Sequence, residues 1–128
     1  MIRLSICLLI LVSILSCTPE YNVNGLTKQE CRDVDSKEFN VMRISYGGIL
    51  LDIRTPEEYA NGAIDNAMNI NYLDAGFSKQ IQSLEPNRAI FLYGQTGERS
   101  EKVKNLLCQE GFSQVYHLIG GYENWPHK

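Results

Sequence analysis

Chemistry in this chain could come from a glycine-containing loop that ends in an arginine, from its cysteines, or from a few hydroxyls and imidazoles. The loop is Gly94-Gln95-Thr96-Gly97-Glu98-Arg99-Ser100. An apolar, β-prone run, Ala89–Tyr93, leads into it. A segment with Val103, Leu106 and Leu107 on one helical face follows, with Gly111 as its stop. A strand feeding a short loop feeding a helix is the geometry of an anion cradle. Loop N–H groups and the first unpaired N–H groups of the helix converge there, aided by the positive end of the helix dipole. Arg99 adds a permanent charge, and its bland alternative is a salt bridge to Asp52 or Glu98. Thr96 and Ser100 are hydroxyls without a visible base. His117 falls on a different strand whose end the sequence does not place, so a hydroxyl nucleophile has little support.

The thiols are few. Met1-Ile2-Arg3 is a short basic start, Leu4 to Leu15 is nearly all apolar, and Ser16-Cys17 closes the segment. That run is too short for a good membrane span and suits a secretory signal. Ile14-Leu15-Ser16-Cys17 resembles a bacterial lipobox, in which the cysteine receives lipid and becomes the new N-terminus; an ordinary signal peptide with Cys17 incidental is the alternative. The expected organisation is therefore a signal over residues 1–16, a polar tether over 17–26 and one domain over 27–128. Lipid on Cys17 would hold the domain on a membrane of the cell envelope, outside the cytoplasm. Cys7 would leave with the signal, so only Cys31 and Cys108 remain as thiols. They could pair in an oxidising compartment, but two buried free thiols is the expected state. No CxxC and no ligand spacing with His117 or His127 points to a metal, and nothing calls for a cofactor. The 128 residues, 44% hydrophobic with net charge −3, suffice for one core. Without a basic cluster they give no reason to expect a nucleic-acid partner.

The elements that must hold the loop alternate in type. Glu30 to Val34 is a candidate strand, although Thr27 to Glu30 also fits a helix capping box. Asp35 starts a helix to about Ile44, ended by Gly47-Gly48. Ile49 to Ile53 is an apolar run suited to a strand buried on both faces. Arg54 to Ala60 is a short helix with Pro56 in its first turn, and Gly62 stops it. Ala67 to Ile70 is a further strand. Leu73, Phe77, Ile81 and Leu84 have helical spacing. After Ala89–Tyr93, a helix over Ser100–Glu110 and a strand over Gln114–Leu118 follow, and Gly120-Gly121 and Trp125 close the chain. This pattern predicts an α/β domain with a mainly parallel central sheet of about five strands flanked by helices. In such sheets ligands sit beyond the carboxyl ends of the strands, where the loop lies.

Four segments together resemble a rhodanese-like domain. They are Leu51-Asp52-Ile53-Arg54-Thr55-Pro56-Glu57-Glu58-Tyr59; Gly62-Ala63-Ile64 with Ala67–Ile70; Gly97-Glu98-Arg99-Ser100; and Gly111-Phe112 with Val115, Leu118–Gly121 and Trp125. The resemblance runs from about Glu30 to Trp125. It implies a sulfurtransferase whose loop opens with a cysteine, three residues before the glycine and five before the arginine. Counting back from Gly97 and Arg99 lands on Gly94, which has no side chain to carry sulfur. A second departure is Ala63, where the family usually has histidine. Cys108 lies nine residues past Arg99 on the same helix, roughly 13 Å away at the usual rise, and Cys31 has no cationic neighbour except Arg32. Neither is positioned to substitute. The six-residue loop resembles the sulfur-handling branch of the family rather than its phosphatase branch, which uses a longer one.

The expected function is therefore a lipid-anchored, catalytically silent domain. It would bind a small anion or sulfur donor such as thiosulfate, or a protein, through Gly94–Ser100 with Asp52 and Arg54 in support. The alternative is a working thiosulfate or persulfide sulfurtransferase, if another cysteine substitutes or Gly94 replaces a native one. Asp52 reads equally as a loop-holding group or an ordinary helix start. Arg54 and Glu58, four apart, are expected to form a local ion pair. Tyr122 and Trp125 are expected in core or rim packing.

Overall fold

The structure, a computed structural model, describes residues 28–128; the lipobox at Cys17 and the tether lie outside the described residues. Five strands, β1 (Glu30–Val34), β2 (Ile49–Asp52), β3 (Met68–Asn69), β4 (Ile90–Tyr93) and β5 (Gln114–Leu118), form one sheet in the order β1-β5-β4-β2-β3. Every pairing is parallel, as alternation of strands and helices requires.

Strand burial follows position in the sheet. Central β4 is buried at every residue, whereas edge strand β1 is buried only at Val34. Helix α1 (Ser36–Tyr46) starts where the Asp35 side chain accepts the Glu38 N–H. It packs Phe39 and Met42 on one sheet face with Tyr93, Tyr116 and Trp125. On the other face α3 (Phe77–Gln82) and α4 (Glu98–Gln109) contribute Phe77, Ile81, Val103 and Leu107, packed on Ile53, Leu92 and Val115. Leu73 departs from its expected place: it precedes α3 and is exposed, so the apolar spacing overstated that helix.

Helix α2 (Pro56–Ala60) is capped reciprocally. Thr55 Oγ1 accepts the Glu58 N–H and Glu58 Oε2 accepts the Thr55 N–H.

Cys31 and Cys108 are joined in a disulfide, with their Cα atoms 6.4 Å apart, instead of standing as free thiols. The reason is tertiary: β1 lies beside β5 on the face that α4 covers, and both cysteines face the seam. Two residues along β1 and one turn back along α4, Asp33 and Lys104 close the same seam with an ion pair.

Candidate anion-binding site

The loop sits at the carboxyl end of β4, between β4 and the first turn of α4. Its carbonyls are pinned on the outside. Gly94 O accepts the Tyr122 N–H at 2.9 Å and Gln95 O accepts the Glu123 N–H at 3.0 Å, both from a 3-10 turn at Tyr122–Asn124. Only a glycine before that turn permits the approach: a Cβ on Gly121 would lie 2.5 Å from Gly94 O. Gly97 O accepts from Glu101 N–H, Ser100 Oγ and His117 Nε2, at 2.9, 3.0 and 3.0 Å. A trans peptide points its N–H away from its C=O. Pinning those three carbonyls therefore turns the Gln95, Thr96 and Glu98 N–H groups the other way. Among the described residues, no N–H from Gln95 to Ser100 has a protein acceptor. Gly97, at φ 100°, supplies the left-handed turn into α4. Such an array of donors at a helix start can hold an anion.

Gly94 itself is free of strain. Its backbone lies outside the left-handed region, and a Cβ there would meet Ser100 Oγ at 3.5 Å and Ser100 N at 3.6 Å, ordinary contact distances. A side chain at this position would point at the start of α4.

Asp52 and Arg54 underpin the loop. Arg54 Nε lies 3.1 Å from each Asp52 carboxylate oxygen, and Nη2 is 2.7 Å from Oδ2. Nη2 also donates to Gly62 O and Nη1 to Gln95 Oε1. The guanidinium lies 4.0 Å from the Tyr122 ring centroid. Burial works against the Arg54 charge, but hydrogen bonds and charge from Asp52 outweigh it and hold the guanidinium's pKa above its usual value. Burial, with Asp52 next, pushes the Tyr93 phenol up as well; its hydroxyl accepts the Ile64 N–H. Asn69 Nδ2 donates to the carbonyls of both Asp52 and Arg54, fixing the bend between β2 and α2.

Two expected pairings are replaced. Arg54 does not pair with Glu58, because its side chain turns inward to Asp52. Arg99 pairs with neither Asp52 nor Glu98 but with Glu58, its Nη2 3.0 and 3.2 Å from the two carboxylate oxygens. Burial pushes the Glu58 carboxyl upward, yet the Thr55 N–H and then Arg99 outweigh this and hold it below its usual range. Arg54, Glu58, Asn61, Gln95 and Tyr122 line an open cleft of about 280 Å³ beside the loop. A larger cleft of about 520 Å³, lined by Ile49, Met68, Gln80 and Arg88 among others, shares no residue with the loop.

The structure places Arg54 beside the predicted stretch Gly94–Ser100, reaching it at Gln95 Oε1, with Asp52 behind the guanidinium. Trp125 is core, but Tyr122 is more than packing, since it covers Arg54. Glu58, Tyr93, Asn69, Gly121 and His117 escaped the sequence reading as site residues. The Thr55-Pro56-Glu57-Glu58 capping box was the one legible signal among them. Among the described residues, no group of three or more His, Cys, Asp or Glu side chains could hold a metal ion.

The family model for the rhodanese-like domain matches residues 35–128. The chain belongs to the rhodanese-like family. It is 36% identical over 85 residues to thiosulfate sulfurtransferase 16, chloroplastic, of Arabidopsis thaliana, an alignment covering 59% of this chain and 71% of that protein. It is 30% identical over 81 residues to the thiosulfate sulfurtransferase GlpE of Stutzerimonas stutzeri, covering 63% and 72%. A tRNA uridine(34) hydroxylase of Buchnera aphidicola is 31% identical over 100 residues, but the match spans only 30% of that protein. Among solved structures, a rhodanese-related protein of Thermoplasma volcanium superposes with a TM-score of 0.64 at 26% identity, covering 73% of this chain and 89% of that one. The rhodanese-like domain of an Anabaena protein gives 0.60 at 31% identity, covering 73% and 71%.

Proposed function

We propose that this domain binds a small anion or sulfur species such as thiosulfate in the Gly94–Ser100 loop and does not itself transfer sulfur. The observation that carries the reading is the loop's pinned carbonyls, with N–H groups lacking protein acceptors, around a position that is glycine. Gly94 occupies the place of the family's sulfur-carrying cysteine, and both thiols of the described chain are tied up in the Cys31–Cys108 disulfide. A thiolate is the nucleophile that persulfide formation requires, so the loop keeps a binding role without a reactive atom. Through the same loop the domain could engage a protein partner. The disulfide also supports an envelope location outside the cytoplasm, where it would persist, with lipid on Cys17 as the membrane anchor.

The alternative, a thiosulfate or persulfide sulfurtransferase in which another cysteine substitutes or Gly94 replaces a native one, draws on the relatives' names and on the unstrained room for a Cβ at Gly94. Intact-mass measurement after incubation with thiosulfate tests whether another cysteine substitutes and whether the loop can present one. The protein as it stands is expected to gain no persulfide sulfur, and Gly94→Cys is expected to gain one sulfur atom. A persulfide on Cys31 or Cys108 of the unaltered protein would overturn the proposal. A Gly94→Cys protein that folds but stays unlabelled would show that the loop does not present the position to donors.

A further inference from the structure

We propose that His117 is a positioning residue of the loop and that its protonation strengthens anion binding there, an inference that rests on the anion-binding reading above. His117 lies on β5, in register with Asp33 of β1, on the face that α4 covers, and it is 5% exposed. Its Nδ1 is 3.0 Å from Asp33 Oδ1 and its Nε2 is 3.0 Å from Gly97 O. A carbonyl oxygen can only accept, so Nε2 must carry a hydrogen. An ionised carboxylate can only accept as well, so Nδ1 must carry one too. The ring that satisfies both contacts is the imidazolium.

The charged groups facing it are Asp33 from β1 and, through that carboxylate, Lys104 from α4. Its partner on β4 is the apolar Leu92. The Lys104 hydrogen bond, against an opposing push from burial and with help from His117, holds the Asp33 carboxyl below its usual range. It therefore stays ionised at neutral pH and favours retaining the Nδ1 hydrogen. When the ring loses its second proton, the Nε2 lone pair faces the Gly97 carbonyl and a donor becomes a repulsion. The Gly97–Glu98 peptide is the one that aims the Glu98 N–H away from His117, so loosening it degrades the donor array. A positive charge behind the loop is lost in the same step. Both effects weaken anion binding once the ring is neutral.

The test is thiosulfate affinity by calorimetry at pH 6 and pH 8, where thiosulfate remains a dianion, in the protein and in His117→Gln, whose amide can still donate to Gly97 O but does not titrate. The unaltered protein is expected to bind roughly fivefold more weakly at pH 8, about the difference between a charged and a neutral hydrogen bond. His117→Gln is expected to bind equally at both. A flat profile in the unaltered protein, or an unchanged slope in His117→Gln, overturns the inference. If the unaltered protein binds no thiosulfate even at pH 6, the anion-binding reading fails separately. In that case the amide spectrum of the anion-free protein still decides on His117. The Glu98 N–H resonance should titrate in parallel with the imidazole, and independent titration overturns the coupling.

Discussion

Arg54 and Arg99 both serve the Gly94–Arg99 loop, yet their surroundings differ at every point. Arg54 and its partner Asp52 have side chains 2% and 0% exposed, and the guanidinium is spread over a carboxylate, a carbonyl and an amide. Arg99 and its partner Glu58 are 26% and 31% exposed and share a single Nη2 contact region. The first pair is a buried strut that reaches the loop through the Gln95 side chain. The second leaves a partly exposed cation at the first turn of α4, paired with a partly exposed carboxylate. Residue type is the same in both, and burial decides the role.

That contrast can be broken most forcefully at the strut. Replacing Arg54 with Met strands the Asp52 carboxylate in the core, and breaking a buried pair in this way costs about 3–5 kcal/mol. Urea unfolding should register it as a shifted midpoint, and a loss below about 1 kcal/mol would show that Arg54 is no strut.

Next in size is the seam behind the loop. The disulfide closes a sequence separation of 77 residues, and converting both cysteines to serine is expected to cost about 2–4 kcal/mol. An unchanged urea midpoint under reducing and oxidising conditions would mean the bond is not formed in solution.

Arg99→Ala should lie at the opposite extreme from Arg54→Met in stability, with a change under about 1 kcal/mol. Its effect should appear in binding instead: thiosulfate or sulfate should raise the melting temperature of the unaltered protein and leave the variant's unmoved. A large loss of stability in Arg99→Ala would make the two arginines alike and remove the distinction.

The smallest effect expected is in acid. The Glu58 and Asp33 carboxyls both sit below their usual ranges in the folded protein. The unfolded chain therefore takes up their protons first as pH falls. Their contribution to stability is complete above the usual carboxylate range and is lost as pH drops through the folded values. Glu58→Gln should flatten that decline slightly, and an unaltered acid limb would show that the Arg99 pair contributes no stability.

Much of this arrangement was legible before any coordinates. The five strands, their parallel sheet and the placement of the loop followed from apolar runs such as Ile49–Ile53 and Ala89–Tyr93, broken by glycines and by Pro56. Those signals are local, so a linear reading captures them. What it missed was pairing across the chain. Arg54 and Glu58 stand four residues apart and invite a helical ion pair, but Asp52 is already buried under the same turn and draws the guanidinium inward. Glu58 is thereby left to Arg99, 41 residues away. His117 is one residue in an apolar strand until β5 is placed next to β1 and under α4.

The sequence by itself settled the order of elements and the family, because each depends on residue type and short-range spacing. Tertiary structure alone decided which carboxylate each arginine meets, that Cys31 faces Cys108, and that an imidazole stands behind Gly97. The physical reason is that burial and hydrogen-bond geometry arise only when strands distant in the chain lie 5 Å or so apart in the sheet, where an unpaired charge becomes costly and partners are chosen by proximity.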